Sequence, residues 1–348
     1  MNYLEGKRMK FDVVVGNPPY QESDGGAQSS SVPIYHKFYE LSKKISLEYV
    51  DLIFPARWYV GGKGLDSFRK DMLNDKNIKK ILDYQTPEDI FPGTNIRGGL
   101  SVVIADNNFD NSIEGVEVIN ILKGEIINHQ KRPMKVDGFN IFIRNNDVVS
   151  ILGKMTYPKG NISDIASPRK PYGISGDFIN DDNFRLSKSG MIKPIKIYGK
   201  RKVGFIENNL IKAHKEWVKG FKVFTARSNN IGTELHDDNL NTKIGYPNEI
   251  VTETYLVIGG DIDLNLNSAR NLSNYLKTKF SRFLISIAKS TQDAPRSTYK
   301  FVPIQDFTLY SDIDWSKSIT EIDQQLYKKY KLTKDEIYVI NTTIVEMD

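Results

Sequence analysis

The chain has 348 residues, 39% hydrophobic and 26% charged, with 48 Lys and Arg against 43 Asp and Glu. At about 150 residues per domain this length suggests two domains, and the apolar content excludes global disorder. Cysteine is absent, which removes disulfides, thiolate metal sites and cysteine nucleophiles together. The four histidines, His36, His129, His214 and His236, have no metal-ligand spacing, so no metal is expected. No apolar run approaches the roughly 18–20 residues that span a bilayer. Residues 1–10 are polar and charged, without an apolar stretch of signal-peptide type. A soluble, cytoplasmic protein is expected, its chemistry built from oxygen, nitrogen and aromatic groups.

The first 105 residues read as alternating strands and helices. An apolar strand over Phe11–Val15 stops at Gly16-Asn17-Pro18-Pro19. Helical spacing follows at Ile34, Phe38, Leu41 and Ile45, then a strand over Val50–Pro55. A helix over Leu65–Leu73 and strands over Ile78–Tyr84 and Leu100–Ala105 complete the alternation, which points to a layered α/β domain. Residues 106–150 read as added strands, closed by a helix over Asp147–Met155. Pro158, Gly160, Pro168, Pro171, Gly173 and Gly176 punctuate an expected linker. In the second half one helix is expected over Asn271–Ala288, and the tail from about Ser311 reads as helical around Ile322, Leu326 and Tyr330. The expected domains are 1–155, 156–310 and 311–348.

Charge is concentrated in one stretch. Between Arg185 and Arg227 there are twelve Lys or Arg and two acids, Glu207 and Glu216. Tyr198, Phe205, Trp217, Phe221 and Phe224 are interleaved. Such a block can follow a phosphate backbone; it can equally be a solvated face with its own core aromatics. The candidate DNA contacts within it are Lys200, Arg201, Lys202, Lys215, Lys219, Lys222 and Arg227.

The sharpest chemical signal is Asn17-Pro18-Pro19-Tyr20 at the end of the first strand. Asn17 offers a side-chain carbonyl. Pro18 has no N–H, so the turn presents carbonyl oxygens without a competing donor, and two prolines restrict its conformation. Tyr20 adds a flat face. Together they form a cradle for a planar ring with an exocyclic amine. Two acceptors on that amine draw its lone pair out of ring conjugation and make the nitrogen a better nucleophile toward a methyl sulfonium.

This motif resembles the catalytic motif of S-adenosylmethionine-dependent amino-methyltransferases. Asp51–Tyr59, Phe68–Leu73, Ile81–Tyr84, Asp89-Ile90-Phe91-Pro92 and Leu100–Ala105 follow in an order similar to N6-adenine DNA methyltransferases of bacterial restriction–modification systems. The stretches Thr291–Phe307 and Leu326–Ile337 also look like the C-terminal regions of such proteins. The resemblance implies the C-terminal half of a Rossmann-like methyltransferase domain, then a mixed α/β target recognition domain and a helical tail. It implies that Asn17, Pro18, Pro19 and Tyr20 hold an adenine extruded from duplex DNA, with Phe91 on the other face of the base. It places Phe38, Tyr35 and Asn2 at the cofactor, with Asn2 where the family often has an acid. The same four-residue motif serves enzymes that methylate protein glutamine or guanine in ribosomal RNA. A DNA-specificity module that keeps the motif as a relic is a further alternative. A C5-cytosine enzyme is excluded by the missing cysteine, and an N4-cytosine enzyme usually has Ser at the position of Asn17.

The family's Gly-rich cofactor turn has no counterpart here. Gly61-Gly62-Lys63-Gly64 follows the wrong strand and reads as a loop, and Gly259-Gly260 lacks the pattern. The chain is therefore expected to be a truncated or split part, completed by a complementary N-terminal methyltransferase or restriction subunit, with an incomplete S-adenosylmethionine site of its own. The strand Phe11–Val15 is then expected to be a bare apolar edge.

Overall fold

The computed structural model describes residues 9–22, 32–60, 64–93, 96, 98–136, 139–231, 240, 242–289, 293–345 and 347. The chain divides into two compact units, Met1–Gly153 and Lys154–Asp348.

The first unit is a mixed α/β layer. In chain order its elements are β1 (Phe11–Gly16), β2 (Gln21–Glu22), β3 (Val32–Pro33), α1 (Tyr35–Ile45), β4 (Ser46–Pro55), α2 (Asp66–Asn74), β5 (Ile78–Tyr84), β6 (Leu100–Asp106), α3 (Asn111–Glu114), β7 (Val116–Leu122), β8 (Glu125–Arg132) and α4 (Asn146–Gly153). Six strands form one sheet in the order β1-β4-β6-β5-β7-β8. The pairs β1–β4 and β5–β7 are parallel, while β6 runs against both β4 and β5. Hence β1, β4, β5 and β7 all point the same way, and their carboxyl ends share one edge of the sheet.

Helix α1 buries Tyr35, Tyr39 and Ser42, the i, i+4, i+7 stripe of an amphipathic helix. Its rings meet Phe54 of β4 and Phe68 of α2, with Tyr35 stacked on Phe54 at 5.2 Å. Strand β4 is longer than its apolar run suggests, because Ser46 to Tyr49 also pair with β1. Strand β1 is the sheet edge among the described residues, and Phe11, Val13 and Val15 are 44%, 48% and 71% exposed. Among the described residues β1 is thus the apolar edge expected of it.

The second unit contains β9 (Pro194–Gly199), β10 (Lys202–Glu207), β11 (Lys222–Ala226), β12 (Lys243–Gly245), β13 (Glu249–Val251) and β14 (Tyr255–Ile258). They form two three-stranded sheets, β10-β9-β13 and β12-β11-β14. Four helices follow, α5 (Leu266–Lys277), α6 (Lys279–Ala288), α7 (Ile319–Lys329) and α8 (Lys334–Thr343). Two expectations are corrected. The stretch 158–176 is no linker: Ile162, Ile165, Tyr172 and Ile174 are buried, and Ser167 N–H bonds to the Val257 carbonyl at 2.8 Å. Its prolines and glycines shape tight turns within a packed layer. The single helix over Asn271–Ala288 is two helices. Thr278 breaks the helical path with ψ of 149° and accepts from Ser281 N–H as the cap of α6, a local bond that competes with helix continuation. The apolar period runs through the break, so periodicity alone hides it. The tail folds onto this unit, where the Asp323 carboxylate of α7 accepts from Lys279 and Phe280 N–H, each at 2.9 Å.

Asp83 and Asp323 are both buried, and burial lifts each carboxyl from 3.8 to about 6 against the pull of neighbouring donors and cations. The folded chain then holds protons that the unfolded chain has released between pH 3.8 and 6. This contribution to stability is fully present at low pH and is lost as pH rises through 6. The stability of wild type relative to Asp323→Asn is therefore expected to fall between pH 4 and 6 and level off above it. The change should be at most about 3 kcal/mol at 1.36 kcal/mol per pH unit. Urea melts across that range measure it; a pH-independent difference would remove the assignment.

Candidate active site at the carboxyl edge of the sheet

The residues singled out in the first unit emerge at one edge. Gly16 of β1 pairs with Leu52, Pro55 of β4 pairs with Leu100, and Leu100 pairs with Tyr84 of β5. The Asn17–Tyr20 turn, the Ala56–Tyr59 turn and the 85–91 segment therefore all leave the sheet on the same side. With β4 and β6 between them, β1 and β5 lie roughly 14 Å apart at ~4.8 Å per strand. This is a gap that short loops from each side can narrow around a planar ring.

In the turn after β1, Pro18 is buried while Asn17 and Pro19 are exposed. Tyr20 is half-buried against the aromatic core of the unit. Burial raises its phenol and the neighbouring Asn17 side chain lowers it, while the hydroxyl has no hydrogen-bond partner among the described residues. The exposed Asn17 side chain carries a carbonyl oxygen that can accept. The turn is tied to the next element, since Ile34 N–H bonds to the Tyr20 carbonyl at 3.2 Å and β2 pairs with β3. Helix α1 thus starts beside the turn and carries Phe38, 38% exposed, in its first turn. Tyr35 is corrected: it is 1% exposed and stacked on Phe54, so it is a core ring and cannot contact a cofactor. Asn2 lies outside the described residues.

The segment bearing Phe91 is fixed to the sheet. Gln85 N–H bonds to the Ile121 carbonyl at 2.9 Å, Gly124 N–H to Asp89 Oδ2 at 2.8 Å, and Phe91 N–H to the Pro87 carbonyl at 2.9 Å. Phe91 itself is half-buried.

A buried polar cluster next to this segment has no counterpart in the sequence reading. Asp83, fully buried near the end of β5, takes Arg144 at 2.9 Å and Asn120 at 3.2 Å on Oδ2. Its Oδ1 has no hydrogen bond among the described residues, which favours the protonated form. Arg144 lies over the Tyr59 ring, 5.3 Å from its centroid, and donates to the Gly98 carbonyl. Gly99 follows with φ of +86°, and a Cβ there would sit 2.5 Å from the Tyr84 carbonyl. Only glycine fits this close approach. Asp83 is visible in the sequence, but its partner lies 61 residues on, so spacing gave no signal.

In the second unit Lys200 and Arg201 are exposed at the turn between β9 and β10, with Arg201 at φ +57°. Lys202, Lys215 and Lys219 are also exposed, and Lys215 and Lys219 line a cleft of about 490 Å³ with Lys193. Arg227 is bound by both oxygens of Asp293, 2.8 Å each. Lys222 is corrected. It is fully buried, and its ammonium donates to the carbonyls of Trp217, Gly220 and Tyr246 at 3.0–3.1 Å. It secures loops and cannot reach a phosphate. Three of the five interleaved aromatics belong to the core: Phe224 is fully buried, and Tyr198 and Trp217 pack against the same cluster.

Among the described residues no helix is long and apolar enough to cross a membrane. Fold and site together define a mixed α/β protein with an acceptor-rich Asn-Pro-Pro-Tyr turn at the carboxyl edge of its sheet. Residues 2–91 match the family described as Eco57I restriction-modification methylase. The chain is 37% identical over 106 residues to a Mycoplasma pneumoniae (strain ATCC 29342 / M129 / Subtype 1) protein described as "Uncharacterized adenine-specific methylase". That match covers 29% of this chain and 25% of the other, so the chain spans about a quarter of that relative's length. Among solved structures, the type IIL restriction-modification enzyme MmeI shares 10% identity over 95% of this chain and 53% of that one, at a TM-score of 0.39. The type IIG restriction endonuclease BpuSI shares 12% over 92% and 49%, at 0.37. Likenesses this weak carry no functional weight.

Proposed function

We propose that this chain serves methyl transfer from S-adenosylmethionine to the N6 amine of an adenine extruded from duplex DNA, as part of a cytoplasmic restriction–modification system. The observation that carries the reading is the Asn17–Tyr20 turn at the carboxyl edge of the sheet, on the same side as Phe91. The described adenine specificity of the Mycoplasma relative supports the choice of base.

The side-chain carbonyl of Asn17 and the backbone carbonyl of Pro18 accept the two amine protons and turn the nitrogen lone pair out of the ring plane. Bound S-adenosylmethionine supplies an electrophilic methyl group on sulfur. With that donor held, the amine nitrogen would bond to the methyl carbon as the carbon–sulfur bond breaks, the electron pair passing to sulfur. The proton leaves nitrogen afterwards, so no base is needed before attack. Phe38, exposed one turn into α1 beside the catalytic turn, fits a stacking contact with the cofactor's adenine ring. In the second unit Lys200, Arg201, Lys202, Lys215, Lys219 and Arg227 are the candidates for phosphate contact. The open apolar edge of β1 supports pairing with a strand of a complementary polypeptide.

Extrusion of a base costs a few kcal/mol, and stacking of ~1–3 kcal/mol per aromatic face offsets it. Tyr20→Ala and Phe91→Ala are each expected to weaken capture of the extruded base by about 5- to 150-fold. Fluorescence of 2-aminopurine at the methylated position reads this; unchanged capture in both variants would remove the two rings from the site. The reading as a whole is tested by expressing the protein, with its neighbouring subunits, in a host without adenine methylation. N6-methyladenine in the host DNA is the expected result, and methylation confined to ribosomal RNA or protein glutamine would overturn the choice of substrate.

A further inference from the structure

A cleft of about 380 Å³ in the second unit is lined by three arginines, Arg169, Arg227 and Arg296, with Ser163 and Ser297. The arginines come from three separate stretches of chain, and each is pinned by its inner edge. Arg169 Nε donates to Glu253 at 2.9 Å, and Glu253 is itself held by Gly176 N–H at 3.0 Å. Arg227 lies in a two-bond fork with Asp293. Arg296 Nε donates to the Ser163 carbonyl at 2.5 Å. A guanidinium has five N–H donors, so each retains donors beyond these bonds. Arg169 is open, with its side chain 67% exposed. Among the described residues two carboxylates serve three guanidiniums here, and Arg296 is held by backbone carbonyls. The cleft therefore presents fixed forks and two serine side chains, and fixed forks match the paired oxygens of a phosphodiester better than a mobile ammonium does.

We infer that this cleft clasps a phosphodiester of the DNA backbone, a contact distinct from the exposed lysines of the β9–β10 turn. The inference rests on the DNA reading above. Phosphate contacts position a protein on the duplex without reading sequence, so loss of the clasp weakens all sequences alike. Each lost phosphate contact also lowers the slope of log affinity against log salt by about 0.9.

Duplex binding by the full chain, followed by fluorescence anisotropy between 50 and 300 mM salt, tests this. Arg169→Ala with Arg296→Ala, which dismantles the clasp on its one phosphodiester, is expected to lower the slope by about 0.9, and Arg169→Ala alone by up to that amount, with equal weakening on unrelated duplexes. Arg169 is exposed and held by one ion pair, so its single variant keeps the fold, and an unchanged melting temperature verifies this. Arg169→Lys should keep the slope while losing part of the affinity. An unchanged slope in the folded Arg169→Ala and double variants overturns the clasp while leaving the DNA reading intact. Absence of salt-dependent duplex binding by the wild type overturns both.

Discussion

Asn17→Ala is expected to reduce methyl transfer by at least about 100-fold while leaving duplex affinity within a factor of two or three. The magnitude follows from the kind of contact removed. A single fixed polar group aimed at charge that develops in the transition state is typically worth about 10²–10³ in rate. Asn17 is exposed at the end of β1, so its truncation removes an acceptor without opening a cavity. Its side chain lies near Tyr20. Asn17→Asp keeps an acceptor oxygen in place but brings a charge toward a sulfonium donor and loses the amide N–H groups. Comparing the two variants in transfer rate and in DNA binding separates the acceptor role from a structural one. Wild-type turnover in Asn17→Ala would remove the turn from the chemistry.

The largest expected loss of stability is from Phe54→Ala, about 3–5 kcal/mol for a fully buried phenylalanine. Phe54 is 0% exposed and meets three rings, Tyr35 at 5.2 Å, Tyr39 at 5.9 Å and Phe68 at 6.2 Å. It joins β4 to both α1 and α2, so the void cannot close without moving a helix. Phe38→Ala on the open side of α1 should change stability by less than about 0.5 kcal/mol. Chemical denaturation of the two variants side by side checks the contrast. If Phe54→Ala cost no more than Phe38→Ala, the ring cluster would not be what fastens α1 to the sheet. Because Ile34, which bonds to the Tyr20 carbonyl, immediately precedes α1, loosening the helix should also disturb the catalytic turn.

Much of the first unit was legible in the sequence because its signals are local. Strand Ile78–Tyr84 has the bounds expected, and α1 and α2 begin and end within a residue of theirs, since apolar period and turn residues act over a few positions. The turn at Asn17–Tyr20 was legible for the same reason: a strand, two prolines and an aromatic ring state their geometry in ten consecutive residues. Tyr35 shows the limit. Its helical position beside Phe38 suits a cofactor contact or the core equally, and only the packing of Phe54 beneath it decides between them.

What the sequence alone determined, then, is the alternation of elements, the acceptor-rich turn and the concentration of positive charge. Tertiary structure alone decided which charges are available. Lys222 reads as one more cation in a basic run, yet it is buried under loop carbonyls, while Arg169, Arg227 and Arg296 are scattered over the sequence and meet in one cleft. The reason is physical: a charge acts through its distance to partners and to water, and chain folding sets both between residues that share no local pattern.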